Sequence, residues 1–219
     1  MEANLNKRSW TQVRFDPWEG AGYCSVQNRE SEILPNDVRL LVLGDSHYGI
    51  DDDERSDFTG HVVECFLKKG ENPRFFGAVT STLSGNRYGD MQKDKIRSVF
   101  NDIAFYNFVK ESAGPIARSA PTRRAFTNSY AAFFEVLTAL APTHVWVCGR
   151  RLWNNMPYSK NMPEFPFIDL GTIEKCGKRA GIGEYLVGAS KVRCLATGHP
   201  SGAFSWKDWR PLIVQFLHG

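Results

Sequence analysis

The run Leu40-Leu41-Val42-Leu43 is apolar at consecutive positions, and this constrains the fold more than any other feature of the chain. A strand shows its side chains alternately to two faces, so a strand apolar at every position has to be covered on both. Parallel sheets with helices on either side meet that requirement. Three further runs have the same character: Ile103-Ala104-Phe105-Tyr106-Asn107-Phe108-Val109, His144-Val145-Trp146-Val147-Cys148 and Val192-Arg193-Cys194-Leu195-Ala196. Helical spacing fills the gaps. Ser56 or Asp57 starts a helix through Val62, Phe66 and Leu67 that stops at Gly70, and a second runs from Pro73 to Ser84-Gly85-Asn86. Met91 to Phe100 is helical in spacing. The clearest helix covers about 122–141, with Phe126, Tyr130, Phe133, Phe134, Leu137 and Leu140 on one stripe and Pro121 and Pro142 as brackets. Another begins within 150–156. The last helix takes Asp208 as its cap and carries Pro211 in its first turn.

Strand, helices, strand, helix, strand, helix, strand, helix is the pattern of an α/β chain. The expected architecture is one domain, 1–219, built as a three-layer α/β/α sandwich around a mostly parallel four-stranded sheet. Residues 1–37 form a loop-rich lead-in anchored by Trp10, Phe15, Trp18 and Tyr23, and 157–190 reads as irregular, with one short strand at Phe167-Ile168-Asp169-Leu170.

Length and composition narrow the class of function. The chain has 219 residues, 42% of them hydrophobic and 23% charged, as in an ordinary globular domain. No apolar run approaches the ~20 residues of a membrane span, and Met1–Trp10 lacks the apolar core of a signal peptide. A cytoplasmic location away from membranes is expected. The five cysteines are scattered and none forms C-x-x-C, so no metal site and no cofactor is expected. A net charge of +3 permits a nucleic-acid partner without requiring one. Arg118 with Arg123 and Arg124, Arg150 with Arg151, and Lys175 with Lys178 and Arg179 are small basic clusters that read as solvated faces, offset by the acidic run Asp51-Asp52-Asp53-Glu54.

Polar residues gather where the strands end. The first strand, about 38–44, runs into a turn, Gly44-Asp45-Ser46-His47-Tyr48-Gly49, with a carboxylate, a hydroxyl, an imidazole and a phenol in succession. Asn107 lies near the end of the second, and Thr197-Gly198-His199-Pro200-Ser201-Gly202 follows the fourth. Strands of a parallel sheet release their carboxyl ends at one edge, where ligands of open α/β sheets bind. These groups are expected to share one pocket.

The same pieces, in the same order over roughly 38–217, resemble the uracil-DNA glycosylase superfamily. Its members carry G-Q-D-P-Y-H or a variant after strand one, an Asn after strand two, and H-P-S-P-L-S or N-P-S-G-L-S before the last helix. The matching residues are Gly44-Asp45-Ser46-His47-Tyr48, Asn107, and His199-Pro200-Ser201-Gly202-Ala203-Phe204-Ser205. The resemblance implies a DNA partner, a flipped pyrimidine nucleotide, and a monofunctional enzyme that acts as a monomer. It implies that His199 donates to the departing base, that Asn107 reads the base edge, and that Tyr48 closes the pocket beside C5. It gives Ser201, Pro200 and Gly202 to the DNA backbone, and Phe204 or Ala203 to the gap left by the flipped base. In the first motif the familiar acid position is Ser46 and the proline position is His47; the acid stands one place earlier, at Asp45. Asp45 is therefore the candidate for orienting water, with His47 as the alternative base, and Gly44 and Ser46 complete that wall. Some relatives excise modified bases from phage DNA in antiviral defence. The altered motif extends the expected substrates from uracil to a modified or bulky pyrimidine.

Two other readings stay open. Gly44-Asp45-Ser46 is also the shape of the nucleophile block of SGNH-type ester hydrolases, with Ser46 attacking a carbonyl. That class needs D-x-x-H, and Ala196 stands three places before His199. A non-catalytic DNA-binding module of the same fold is the other.

Overall fold

The computed structural model describes residues 8–25, 34–48, 55–114 and 120–219. Arg118, Gly49 and the acidic run Asp51–Glu54 lie outside the described residues. In chain order the elements are β1 (Trp18–Glu19), β2 (Leu40–His47), α1 (Phe58–Lys69), α2 (Pro73–Ser84), a 3-10 turn (Tyr88–Asp90), α3 (Lys93–Asn101), β3 (Ile103–Ser112), α4 (Arg123–Asn128), α5 (Tyr130–Leu140), β4 (His144–Cys148), α6 (Arg150–Asn155), β5 (Phe167–Lys175), β6 (Lys178–Val187), β7 (Ser190–Thr197) and α7 (Trp206–Leu217).

The strands form one mixed sheet in the order β1-β3-β2-β4-β7-β6-β5. The four apolar runs are its centre: β3, β2, β4 and β7 are mutually parallel. The expected four-stranded sheet is thus too small, because β1 adds antiparallel to β3 at one edge and the β6–β5 hairpin adds antiparallel to β7 at the other. The hairpin occupies the segment that reads as irregular. Its turn is Cys176-Gly177, both at positive φ (50° and 71°), which matches the twist of a two-residue hairpin.

Alternation along the parallel strands builds two cores. Leu40, Val42, Ile103, Phe105, Trp146, Cys148 and Leu195 pack with side chains of α1, α2, α3 and α7. Leu41, Leu43, Ala104, Tyr106, Val145, Val147, Cys194 and Ala196 pack with α4, α5 and α6. Burying each such Leu or Val contributes about 1.5–3 kcal/mol, so covering both faces is what makes these strands stable at the centre of the sheet. The helices α1 and α2 end where expected, with Gly70 and Gly85 in the left-handed conformation.

Two helices differ from expectation. The stripe at 122–141 is broken at Ser129, whose buried hydroxyl donates to Ala125 O (2.7 Å) and accepts from Lys110 N–H (3.1 Å). That pair of bonds ties the helix break to β3. At the other end of the chain α7 starts after Ser205 rather than at Asp208. Asp208 sits in the first turn, where a carboxylate favours the helix dipole, and pairs with Lys178 at 3.3 Å. Pro211 is therefore inside the helix, not in its tolerant first turn. Among the described residues no helix is long and apolar enough to cross a membrane.

Candidate functional site

The first strand does not stop at Gly44. β2 continues through His47, so the expected polar turn is buried strand: Asp45, Ser46 and His47 are only 4%, 6% and 4% exposed. Gly44 is paired with Asn107 and Ser46 with Val109, and then the register slips between Ser46 and His47. Such a bulge re-aims the side chain that follows it. Here it brings His47 to Asn107, whose amide nitrogen lies 3.0 Å from Nδ1 and 3.3 Å from Nε2 of the imidazole.

Gly44 makes room for this contact. A Cβ at Gly44 would overlap Oδ1 of Asn107. The amide is therefore held with its nitrogen toward His47 and its oxygen over Gly44, and that oxygen has no hydrogen bond among the described residues. The strand is fixed by its neighbours and cannot yield. Gly44→Ala is expected to cost about 1–3 kcal/mol of stability, as overpacking does, and to turn Asn107 away from its position. Denaturant titration and a crystal structure of the variant check the two effects.

His47 is clamped. Phe15 and Phe58 meet it edge-on, with ring centroids at 5.1 and 5.0 Å, and Nε2 lies 3.0 Å from Thr59 Oγ1. Burial lowers its pKa to about 4, so the ring is neutral at physiological pH. Both ring nitrogens are taken up by protein groups. His47 is thus placed as a support for Asn107, which leaves Asp45 as the better placed of the two candidate bases.

Asp45 points to the start of α6. Arg151 there donates from Nε to Oδ2 (2.7 Å), and its Nη2 lies 2.5 Å from the same oxygen as an ion pair. The other oxygen, Oδ1, is buried without a partner among the described residues. Burial raises the pKa of Asp45, and the bond and charge of Arg151 and the charge of His199 oppose the rise. The Tyr48 side chain also hydrogen-bonds to Arg151.

His199 follows the last parallel strand. Thr197 braces the turn, accepting from the Trp146 indole at 2.8 Å and donating to Gly198 O at 2.9 Å. Nδ1 of His199 accepts from Ser201 N–H at 3.2 Å, and the ring lies 5.5 Å from that of Phe75. Burial lowers its pKa, with Asp45 opposing and Arg151 reinforcing the shift. A neutral imidazole that accepts at Nδ1 carries its proton on Nε2.

These side chains line one cavity of about 730 Å³. Asp45, Ser46, His47, Tyr48, Asn107, His199 and Ser201, all expected from sequence, are on its wall. Facing them is an apolar wall from Phe58, Val62, Phe75, Phe76 and Phe105. Gly44 lies beneath Asn107 rather than on the wall, Pro200 is buried, and Gly202 and Ala203 are exposed on the loop. Phe204 is half-buried, stacked on Trp209 (5.9 Å, 5°) and 6.3 Å from Trp146, so it packs against the edge of the core. Among the described residues Ser46 Oγ has no hydrogen-bond partner, so none of them is seated on it as the base that serine acyl transfer requires.

Arg151 was not separable from the exposed Arg150 beside it in the sequence; its only signal is that it follows Gly149 at the end of a parallel strand. Phe75 lies within the helix expected from Pro73 and Phe105 within the second apolar strand, so neither stands out as a site residue. Asn72, on the cavity wall at left-handed φ (53°), gave no signal. No protein-family model matches the chain, and no curated protein matches it in sequence.

Proposed function

We propose that the protein is a monofunctional DNA glycosylase that hydrolyses the N-glycosidic bond of a flipped pyrimidine nucleotide, uracil or a modified base, and leaves an abasic site. The observation that carries this reading is the meeting of Asp45, Asn107 and His199 on one aromatic-walled cavity. An acceptor for water, a reader for a base edge and a donor for a leaving group are the three functions that glycosidic hydrolysis needs.

The chemistry follows from their roles. The base enters the cavity against the apolar wall, with Asn107 on its edge and Tyr48 beside it. Water held on Asp45 Oδ1 attacks C1′ of the deoxyribose. The C1′–N bond breaks, and its electron pair stays with the base. One water proton passes to Asp45, and the departing base accepts a hydrogen bond from His199 Nε2–H before taking a proton from solvent. Buried Asp45 and half-buried His199 act where the apolar wall lowers the dielectric, which strengthens both interactions. Ser201 and the exposed backbone around Gly202 are the DNA contacts. With Phe204 stacked on Trp209, the residue exposed to fill the vacated stack is Ala203.

The size of the cavity bears on the base. About 730 Å³ lies in the upper part of the ~300–1,000 Å³ range of small-molecule pockets, which leaves space for a ring substituent. A modified pyrimidine, such as those of phage DNA, fits that space. The test is a panel of duplex and single-stranded DNAs carrying uracil or modified cytosines. Incubation followed by alkali is expected to cut at the cognate base only, with no strand cleavage before alkali. Absence of alkali-labile sites across the panel, with DNA binding intact, would favour a binding module instead.

A further inference from the structure

We propose that Arg151 is the positioning residue of the site: by engaging Asp45 through Oδ2 alone it reserves the buried Oδ1 as the acceptor for the attacking water. The inference rests on the glycosidase reading for its chemistry, but the pairing itself is geometric. Two guanidinium nitrogens, the donor Nε at 2.7 Å and Nη2 at ion-pair distance of 2.5 Å, converge on one carboxylate oxygen. A two-oxygen fork, the commoner way for Arg to hold a carboxylate, would engage both oxygens and leave neither wholly for water. Here Asp45 lines the cavity, and its second oxygen is buried with no partner among the described residues.

The elements around the pair make this arrangement specific. Asp45 is on β2, between neighbours that fix its backbone, and Arg151 is on the first turn of α6, just beyond the end of β4. Tyr48 hydrogen-bonds to Arg151 as well. The charged and titratable groups acting on Asp45 are Arg151 from α6 and His199 from the loop after β7. Burial alone would leave the carboxyl protonated too readily to accept from water, and Arg151 counters it. Its own side chain remains 43% exposed. The guanidinium thus reaches the buried acid from the surface without being sealed behind it, and its replacement leaves the core untouched.

The pairing predicts a readout independent of catalysis. In protein labelled with ¹³C at aspartate carboxyls, Asp45 is assigned by its absence in Asp45→Asn, and its titration is followed by NMR. Arg151→Met is expected to raise the proton affinity of Asp45 at least tenfold, in line with losing an adjacent opposite charge. Arg151→Lys keeps the charge and is expected to hold the midpoint within about threefold of wild type. It loses rate, because a point charge does not select one oxygen. On a cognate substrate the acid limb of the rate profile moves with the Asp45 midpoint in each variant. An Asp45 midpoint unchanged in Arg151→Met, with the variant folded, overturns the proposal. If Arg151→Met does not fold, the proposal is decided by Arg151→Gln, which keeps side-chain bulk and hydrogen bonding without the charge. A shifted midpoint with no base released from any DNA would keep the Arg151 pairing and reject the glycosidase reading.

Discussion

Asp45→Asn is expected to bind DNA like the wild-type protein and to release base about 10²–10⁴-fold more slowly, the range lost with a general base. The amide keeps the size of the carboxylate and can still accept from Arg151, so geometry is preserved and only proton affinity is lost. Stability moves the other way. Burial raises the pKa of Asp45, which means that folding disfavours its charged form. A neutral isostere removes that cost, so the variant is expected to melt at the same temperature or higher. His199→Ala is expected to lose about 10²–10³-fold, as removal of a donor to a developing anion does, again with DNA binding retained. Steady-state rates, a binding titration and a melting curve for each variant check the set. A variant that loses binding and rate in equal measure would take the residue out of the chemistry.

Between pH 7.5 and pH 5 the protein is expected to lose about 4 kcal/mol of stability, most of it through two histidines. Burial holds both His47 and His144 at a pKa of about 4, against an ordinary value of 6.5. The unfolded chain takes up these protons as pH falls through 6.5, and the folded protein does not until about 4. Stability is therefore whole above 6.5 and declines down to about 4, where the folded rings become charged. Each contributes about 2 kcal/mol at pH 5, from ~1.4 kcal/mol per unit. His199 acts in the same direction and Asp45 in the opposite one. His47 sits between Phe15 and Phe58, so its protonation also unseats Asn107; His144 lies against Phe216 at the far end of its strand. Urea titrations at both pH values measure the loss. Repeating them with His144→Asn, expected to remove about half of the pH dependence, apportions it. A stability that stays flat over this window would contradict the burial of these rings.

What the sequence discloses here follows from which interactions are local. The four parallel strands are legible because each is apolar at successive positions. The helices α1 and α2 are legible because Gly70 and Gly85 stop them. The meeting of Asp45, Asn107 and His199 is legible because parallel strands share a C-terminal edge. The extension of β2 through Asp45-Ser46-His47 is not, since polar residues in a buried strand look like a turn. They are tolerated through distant partners: Arg151 for Asp45, and Thr59 and Asn107 for His47. The β5–β6 hairpin is hidden for a similar reason. Gly181 and Gly183 carry no side chain to mark an alternation, because Trp153 and Phe167 cover those positions from elsewhere in the chain. Phe204 shows the converse. Its place in the H-P-S-G loop suggests a projecting wedge; the structure sets it half-buried, stacked on Trp209 with Trp146 nearby, a contact that no sequence spacing reveals.

The central claim is that this cavity cuts a base from its sugar. Mass spectrometry of the small molecules released from DNA, run beside an aldehyde-reactive count of abasic sites, tests it most directly. Uracil-containing DNA and phage DNA with modified cytosines are the substrates. The expected result is one free pyrimidine species, in a one-to-one ratio with abasic sites, from wild-type protein and not from Asp45→Asn. Release of a nucleotide or nucleoside instead of a base, or abasic sites formed equally by Asp45→Asn, would contradict it.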